Sequence, residues 1–334
     1  MSLKNRLQST LDYWGLRKSA AFYPQMISTE ITNHCNLDCI MCPHGKMTRE
    51  VGVMPLELFK KIIDEVAGKT ELVYLYGLGE STLVKNFPEY AQYAKAKGLS
   101  TCLSTNATAL TEDRARDLVS CGVDQLILAI DGSSAESYES VRRGADFERT
   151  LQNCRTLLQA KKQARSKLHV VVQLILQDAN QNDVQYQKDC FTADEIGQID
   201  VFRIKPLFDT FVAPKDIEYK RTPCYFLWNM MAISWTGKVQ FCCFDYDATQ
   251  PLGDVSQQSV AEVWHDQAIR QARQTHRERR HGDISLCKGC SFPEKGYFTL
   301  PNLMGQTVLD AMTLRKLLPY AEQYLGLNKL KGRS

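Results

Sequence analysis

The chain has 334 residues, 44% of them hydrophobic, and a net charge of +3. That is enough for one large domain and a smaller one, and the near balance of charge speaks against a general nucleic-acid or anionic-membrane surface. No apolar run approaches the ~18–20 residues of a membrane span, and no cationic segment with an apolar core opens the chain. The expected compartment is therefore the cytoplasm, where the 12 cysteines are expected to serve metals or catalysis rather than disulfides.

In chain order, Leu3, Leu7, Leu11 and Trp14 predict a short helical extension over residues 1–25. Strand-like segments follow at Met26–Thr32, Leu72–Gly77, Leu99–Ser104, Gln125–Asp131, Leu168–Leu176 and Ile199–Lys205. Several are apolar almost throughout, as suits strands buried on both faces of a parallel sheet. Helical spacing lies between them. Leu58, Phe59, Ile62, Ile63 and Val66 share a face that stops near Gly68, and Tyr90, Tyr93 and Ala94 repeat the pattern before Gly98. Thr111 with Glu112 and Asp113 reads as an N-cap and an acidic first turn. Six strand–helix units predict an α/β fold, a partial (βα)6 TIM-like barrel over residues 26–215. Its chemistry is expected at the carboxyl ends of the strands. Residues 206–223 carry three prolines and read as a connection. Beyond it, Met231–Ser234 and Lys238–Cys242 flank Trp235-Thr236-Gly237 as a hairpin, Ser259–Arg273 reads as one helix, and Val308–Leu327 as a helix in the tail, residues 301–334. The basic run Arg270–His281 reads as a solvated helix face.

Cys35, Cys39 and Cys42 form C-x3-C-x2-C directly after the first strand. A [4Fe–4S] cluster ordinarily takes four thiolates, so three leave one iron open for a bound molecule. A zinc knuckle completed by His34 or His44 is the alternative, but its cysteines are usually spaced C-x2-C. Gly77-Leu78-Gly79-Glu80 ends the second strand, Ser104-Thr105-Asn106 the third and Asp131-Gly132 the fourth, followed by Arg142-Arg143-Gly144. Glycine lets backbone approach a ligand closely, a glutamate can accept from an ammonium group, and Asn106 also reads as a turn residue.

With these motifs in order, the segment TNHCNLDCIMCPH resembles the radical S-adenosylmethionine (SAM) superfamily, over roughly residues 26–300. The resemblance implies that Cys35, Cys39 and Cys42 hold a [4Fe–4S] cluster whose open iron binds SAM. It also implies that Gly77, Gly79, Glu80, Ser104, Asn106 and Arg142 line the SAM pocket. Met41 and Ser81 stand where the family commonly has an aromatic residue and a proline. Asp131, which reads either as a cap of the next helix or as facing the substrate, and Arg203 and Lys205, with Gln173, are the candidates for substrate contact and catalysis, since a buried polar group needs a partner.

Cys224, Cys242, Cys287 and Cys290 form a second group, C-x12-G-x4-C followed by C-x2-C. By spacing alone, four thiolates suit a complete [4Fe–4S] cluster or a structural zinc. The order of the motifs resembles the auxiliary-cluster domain called SPASM, in its shortened twitch form with one cluster, here over residues 216–300. Cys243, beside Cys242, is left outside that set and reads as a spare or alternative ligand. Cys102, Cys121, Cys154, Cys190 and Cys243 read as buried small hydrophobes, or, for one near the pocket, as a hydrogen-atom donor in an epimerase.

The resemblance implies two clusters, SAM, and an external reductant such as flavodoxin or ferredoxin. A second cluster that can take up an electron points to oxidation of a small polar substrate, a carbohydrate-like molecule or aminocyclitol. With 34 residues before Cys35, a separate leader-peptide domain is not expected at the front. A peptide-modifying maturase (epimerase or crosslinking) and a non-catalytic iron–sulfur electron carrier are the alternatives.

Overall fold

The computed structural model describes Tyr13 and residues 23–185, 187–207, 223–288 and 290. The N-terminal extension (Tyr13 and residues 23–25 apart), most of the 206–223 connection and the C-terminal tail lie outside the described residues.

Among the described residues, nine strands form one sheet in the order β6-β5-β4-β3-β2-β1-β7-β8-β9. They are β1 (Met26–Thr29), β2 (Leu72–Tyr74), β3 (Ser100–Thr105), β4 (Gln125–Ala129), β5 (His169–Leu176), β6 (Val201–Pro206), β7 (Met230–Ile233), β8 (Lys238–Gln240) and β9 (Gly253–Asp254). All six expected barrel strands are present and pair in parallel. Several end earlier than their apolar runs. Ile31, Leu75 and Ile130 are fully buried, yet they lie past the ladder, where the chain turns to build the strand-end loops.

The expected hairpin forms as antiparallel β7–β8, but it does not stand apart. β7 pairs in parallel with β1 in the register Met26↔Met230 and Ile27↔Met231, and the Glu30 amide donates to the Ile233 carbonyl at 2.9 Å. The hairpin thus covers what would be an open edge of the barrel sheet.

Helices coat the convex face. In α1 (Leu56–Val66) the stripe Phe59, Ile62, Ile63 and Val66 is buried, and it meets α2 (Phe87–Ala96) through the edge-to-face pair Phe59–Tyr90 at 5.1 Å. Thr111 accepts from the Arg114 amide and so caps α3 (Glu112–Ser120) as expected. Then α4 (Ala135–Val141), α5 (Phe147–Gln163) and the short α6 (Ala193–Ile196) complete this layer. Side chains alternate across each strand. The concave face therefore carries its own apolar patch of Cys102, Ile127 and Val171 against Leu72, Tyr74, Tyr76 and Val201.

In the C-terminal part, α7 (Phe226–Asn229) runs directly into β7. The single helix expected over Ser259–Arg273 is two, α8 (Val260–Trp264) and α9 (Gln267–Arg277). Asp266 breaks them apart by accepting from the Ala268 amide as a new N-cap. The basic run at the end of α9 is only partly solvated. Arg273 turns inward, donating to the Leu227 carbonyl at 2.8 Å and stacking on Trp264 at 4.3 Å, and His276 is buried beside it.

The seam between the barrel and the hairpin is tight at Gly52, whose amide donates to Asn33 Oδ1 at 2.8 Å. A Cβ there would lie 2.6 Å from the Trp235 ring, and Trp235 is itself held by its indole N–H on the Glu50 carbonyl. Gly52→Ala is expected to cost about 1–3 kcal/mol, the usual range for overpacking, read as a lower denaturation midpoint at unchanged slope.

Candidate active site

The loop after β1 carries the first cysteines with almost no regular structure of its own, so its backbone must find partners elsewhere. Asn33 supplies several. Its amide donates to the Glu50 carbonyl at 2.8 Å and its Oδ1 accepts the Gly52 amide. His44 Nε2 lies 2.9 Å from the Asn33 carbonyl, and since a carbonyl only accepts, this ring donates to the loop's own backbone. Cys35, Cys39 and Cys42 lie close enough to raise one another's pKa. Burial pushes the Cys35 thiol up to about 11 and moves Cys39 and Cys42 upward as well, while Arg142 pulls Cys39 back.

The motif at the end of β2 packs directly on this loop. A Cβ at Gly79 would fall 2.2 Å from the Thr32 carbonyl oxygen and 2.7 Å from that of His34, so only glycine lets the two backbones lie together. The Glu80 amide then donates to the His34 carbonyl at 2.8 Å. The buried Glu80 carboxylate accepts from the Thr82 amide and hydroxyl (3.1 and 2.6 Å), the Thr105 hydroxyl (2.8 Å) and the Asn106 amide (2.7 Å). Asn106 donates to Asn36 Oδ1 at 3.2 Å, and its Nδ2 lies 3.9 Å from Cys35 Sγ. Gly77, where a Cβ would sit 2.8 Å from the Glu30 side chain, and half-exposed Ser104, on the same strand face as Cys102, complete the group expected around SAM.

Asp131, read from the sequence as facing the substrate, does not do so. It is fully buried. One oxygen accepts the Ile175 amide at 2.6 Å, and the other pairs with Arg142 at 2.6–2.7 Å. Arg142 in turn sets Nη1 3.7 Å from Cys39 Sγ. Burial works against the Arg142 charge, but Asp131 and Cys39 outweigh it and raise its pKa overall. The pair is a strut under the cysteine loop. Arg203 and Lys205 stand on the concave face in register with Gln173 and Ile175 and bear electrostatically on Cys102. Gln173 is buried with its Oε1 lacking a protein partner.

Cys224, Cys242, Cys287 and Cys290 all line one cavity of about 340 Å³, together with His276 and His281. Burial pushes Cys224 and Cys242 up to about 12, with neighbouring thiols adding to the shift. Among the described residues no three His, Cys, Asp or Glu side chains are spaced for a single metal ion; the thiols surround a space instead. That space and its sulfur donors fit an iron–sulfur cluster.

A second cavity, of about 280 Å³, opens on the concave face. Gly77 and Leu78 wall it on one side and Cys243 on the other, with Ser28, Tyr74, Tyr76 and Met230 between. Cys243 thus lines this second space; burial raises its pKa, and Cys242, Cys224 and Cys290 stay close enough to raise it further. Sequence reasoning missed this placement and the tyrosine pair. It also missed Arg49, which forms a two-point ion pair with buried Glu30, and His276.

Removing the carboxylate of the Asp131–Arg142 pair strands a buried charge. Asp131→Ala is expected to destabilise the metal-free protein by about 3–5 kcal/mol in chemical denaturation. The double variant Asp131→Ala/Arg142→Met is expected to recover most of that loss.

Residues 29–180 match the Radical SAM superfamily, and residues 224–291 match SPASM, an iron–sulfur cluster-binding domain. The chain is 36% identical over 141 residues to the AdoMet-dependent heme synthase of Methanosarcina barkeri (strain Fusaro / DSM 804), a match covering 41% of this chain and 40% of that protein. Other leading relatives are likewise matched over less than half of their own length. The S-adenosyl-L-methionine-dependent 2-deoxy-scyllo-inosamine dehydrogenase of Niallia circulans is 22% identical over 282 residues, covering 80% of this chain and 92% of that one. Among solved structures, Streptococcus suis SuiB bound to precursor peptide SuiA shares the fold, with a TM-score of 0.61 at 13% identity over 80% of this chain and 69% of that one. The two domains imply iron–sulfur clusters and SAM as cofactors. With the three-cysteine loop seated on a parallel sheet and a four-cysteine cavity beside it, the chain carries a Radical SAM domain followed by a SPASM iron–sulfur cluster-binding domain.

Proposed function

We propose that the protein is a SAM-dependent oxidoreductase that dehydrogenates a small ring-shaped, hydroxyl-bearing molecule held in the 280 Å³ cavity. One [4Fe–4S] cluster would sit at Cys35, Cys39 and Cys42 and a second at Cys224, Cys242, Cys287 and Cys290. When bound, the first cluster and SAM would supply a 5′-deoxyadenosyl radical for removal of a hydrogen atom from a substrate carbon, and the second cluster would take up the electron that remains as the hydroxyl proton leaves to solvent.

The observation that carries the reading is the position of the cavity. It shares Gly77 and Leu78 with the strand-end motif and Cys243 with the edge of the four-cysteine site, so a molecule within it touches the walls of both. Tyr74, Tyr76 and Tyr246 offer flat apolar walls with polar tips, and Ser28 and Gln240 offer hydrogen-bonding groups. The volume lies at the small end of ligand sites. The inosamine substrate in the name of the Niallia circulans relative has the same character. Glu80, Thr105 and Asn106 hold the strand ends beside the SAM position, and the Asp131–Arg142 strut holds Cys39 from below. Arg203 and Lys205 do not line the cavity, and we assign them to the polar outer part of the concave face, where a substrate hydroxyl or an anionic group would pass. An external one-electron donor such as flavodoxin or ferredoxin would supply the reducing electron.

A second reading has one observation in its favour. Met26, Leu78, Phe226 and Met230 make much of the cavity wall apolar, which would also receive a side chain of a peptide. SuiB, of the same fold, was solved with a precursor peptide.

Anaerobic reconstitution is expected to load about eight irons per chain, as two cubanes require, and to yield 5′-deoxyadenosine with reductant and SAM. Cys39→Ala is expected to abolish that product. Ala232→Phe, which fills the cavity, is expected to leave basal SAM cleavage in place and to remove its stimulation by a cyclitol or sugar. Four irons with one zinc, or stimulation by peptides alone, would overturn the proposal.

A further inference from the structure

We infer that His276 is a positioning residue for the four-cysteine site. It would set the reduction potential of the group bound there through a directed N–H···S hydrogen bond to Cys287. This rests on the reading that an iron–sulfur cluster sits at Cys224, Cys242, Cys287 and Cys290.

His276 lies in the last turn of α9 and is 1% exposed. Its two ring nitrogens face two different cysteines of the site. The backbone amide of Cys224 lies 3.2 Å from Nδ1. An amide can only donate, so Nδ1 must keep its lone pair. The neutral ring then carries its proton on Nε2, which lies 3.3 Å from Cys287 Sγ. The tautomer is therefore fixed by the fold, and the N–H points at a sulfur. His281 packs against the His276 ring edge to face, with centroids 4.5 Å apart and planes at 73°. It is itself buried, at 3% exposed, so the ring cannot easily turn away. Both rings line the cavity that the four thiols surround.

Hydrogen bonds to cluster sulfurs raise a cluster's potential, because they stabilise the more negative reduced state. In a buried cavity such a bond is stronger than in water. One ring thereby links Cys224, the first cysteine of this site in chain order, to Cys287 in the closing C-x2-C. It orients both while drawing electron density from one of them. The sequence shows only a histidine eleven residues before a cysteine, with no sign of this role.

The test uses the full chain with Cys35, Cys39 and Cys42 replaced by alanine, so that only the second cluster loads, and follows its midpoint potential by redox-titrated electron paramagnetic resonance. His276→Phe is expected to lower the potential by about tenfold in the reduction equilibrium, about 59 mV for one electron. His276→Gln, whose amide N–H can reach the same sulfur, is expected to stay within about threefold of the parent, a retention that simple loss of packing would not give. Electron–nuclear double resonance of the parent should show an exchangeable proton coupled to the reduced cluster that is lost in His276→Phe. If His276→Phe does not load iron, that proton in the parent, together with its loss on histidine ring deuteration at nitrogen in 2H2O, still decides the matter. An unchanged potential in a loaded His276→Phe, or no such proton in the parent, overturns the inference. No iron in the three-alanine protein overturns the two-cluster reading and this inference with it.

Discussion

A buried carboxylate holds the site together. Glu80 gathers donors from its own loop and from the end of β3, while the backbone on either side of it lies against the loop that presents the three cysteines. Burying a charge is costly unless it is hydrogen-bonded, and here three bonds fall on Oε1 and one on Oε2. The outcome is that β2, β3 and the cysteine loop cannot shift independently. Asn106 reaches Cys35 and Asn36 only because its amide is pinned to Glu80. The loop has no ladder of its own, so this clamp substitutes for secondary structure.

A second buried carboxylate extends the same rigidity across the molecule. Glu30, at the end of β1, accepts both arms of the Arg49 guanidinium, and Arg49 Nη1 lies 2.6 Å from it. Arg49 Nε donates to the Tyr246 carbonyl at 2.6 Å, the Thr48 amide meets Asp247 Oδ1 at 2.8 Å, and the Trp235 amide meets Glu30 at 3.2 Å. Planar, two-point recognition of this kind fixes direction as well as distance. Together with the β1–β7 pairing, it makes the two cysteine sites parts of one framework, so the cavity between them has a defined width. A flexible hinge there would leave the relative position of the two sites to chance.

Much of this was legible in the residues. Runs of apolar strand residues, helix stripes ending at glycine, and cysteine spacing each carry a local signal, and α1, the Thr111 cap and the β7–β8 hairpin all lie where those signals point. The misses share a physical cause. Asp131 read as a substrate-facing acid because a strand-end aspartate looks alike whether it meets solvent or an arginine eleven residues on. The break at Asp266 was hidden because Ser259 through Arg273 keeps helical spacing on both sides of it. The edge pairing of β7 with β1, about two hundred residues apart, and the pairing of Arg49 with Glu30 depend on topology rather than on any local pattern.

The cysteines show why grouping, rather than the state of any one thiol, marks a ligand site. Burial pushes Cys102 and Cys154 up to about 12, as far as Cys224 and Cys242. Cys154 lies in the helical core and Cys102 in the concave apolar patch, and for a lone thiol such burial means an inert packing residue. A ligand must be a thiolate, so binding of iron has to expel a proton from each buried sulfur, and the strength of the metal–sulfur bonds has to exceed that cost. Where several raised thiols share one space, the metal charge reverses the penalty that burial imposes on each. Convergence, rather than depth, therefore sets Cys35, Cys39 and Cys42, and the four cysteines of the second cavity, apart from the lone thiols around them.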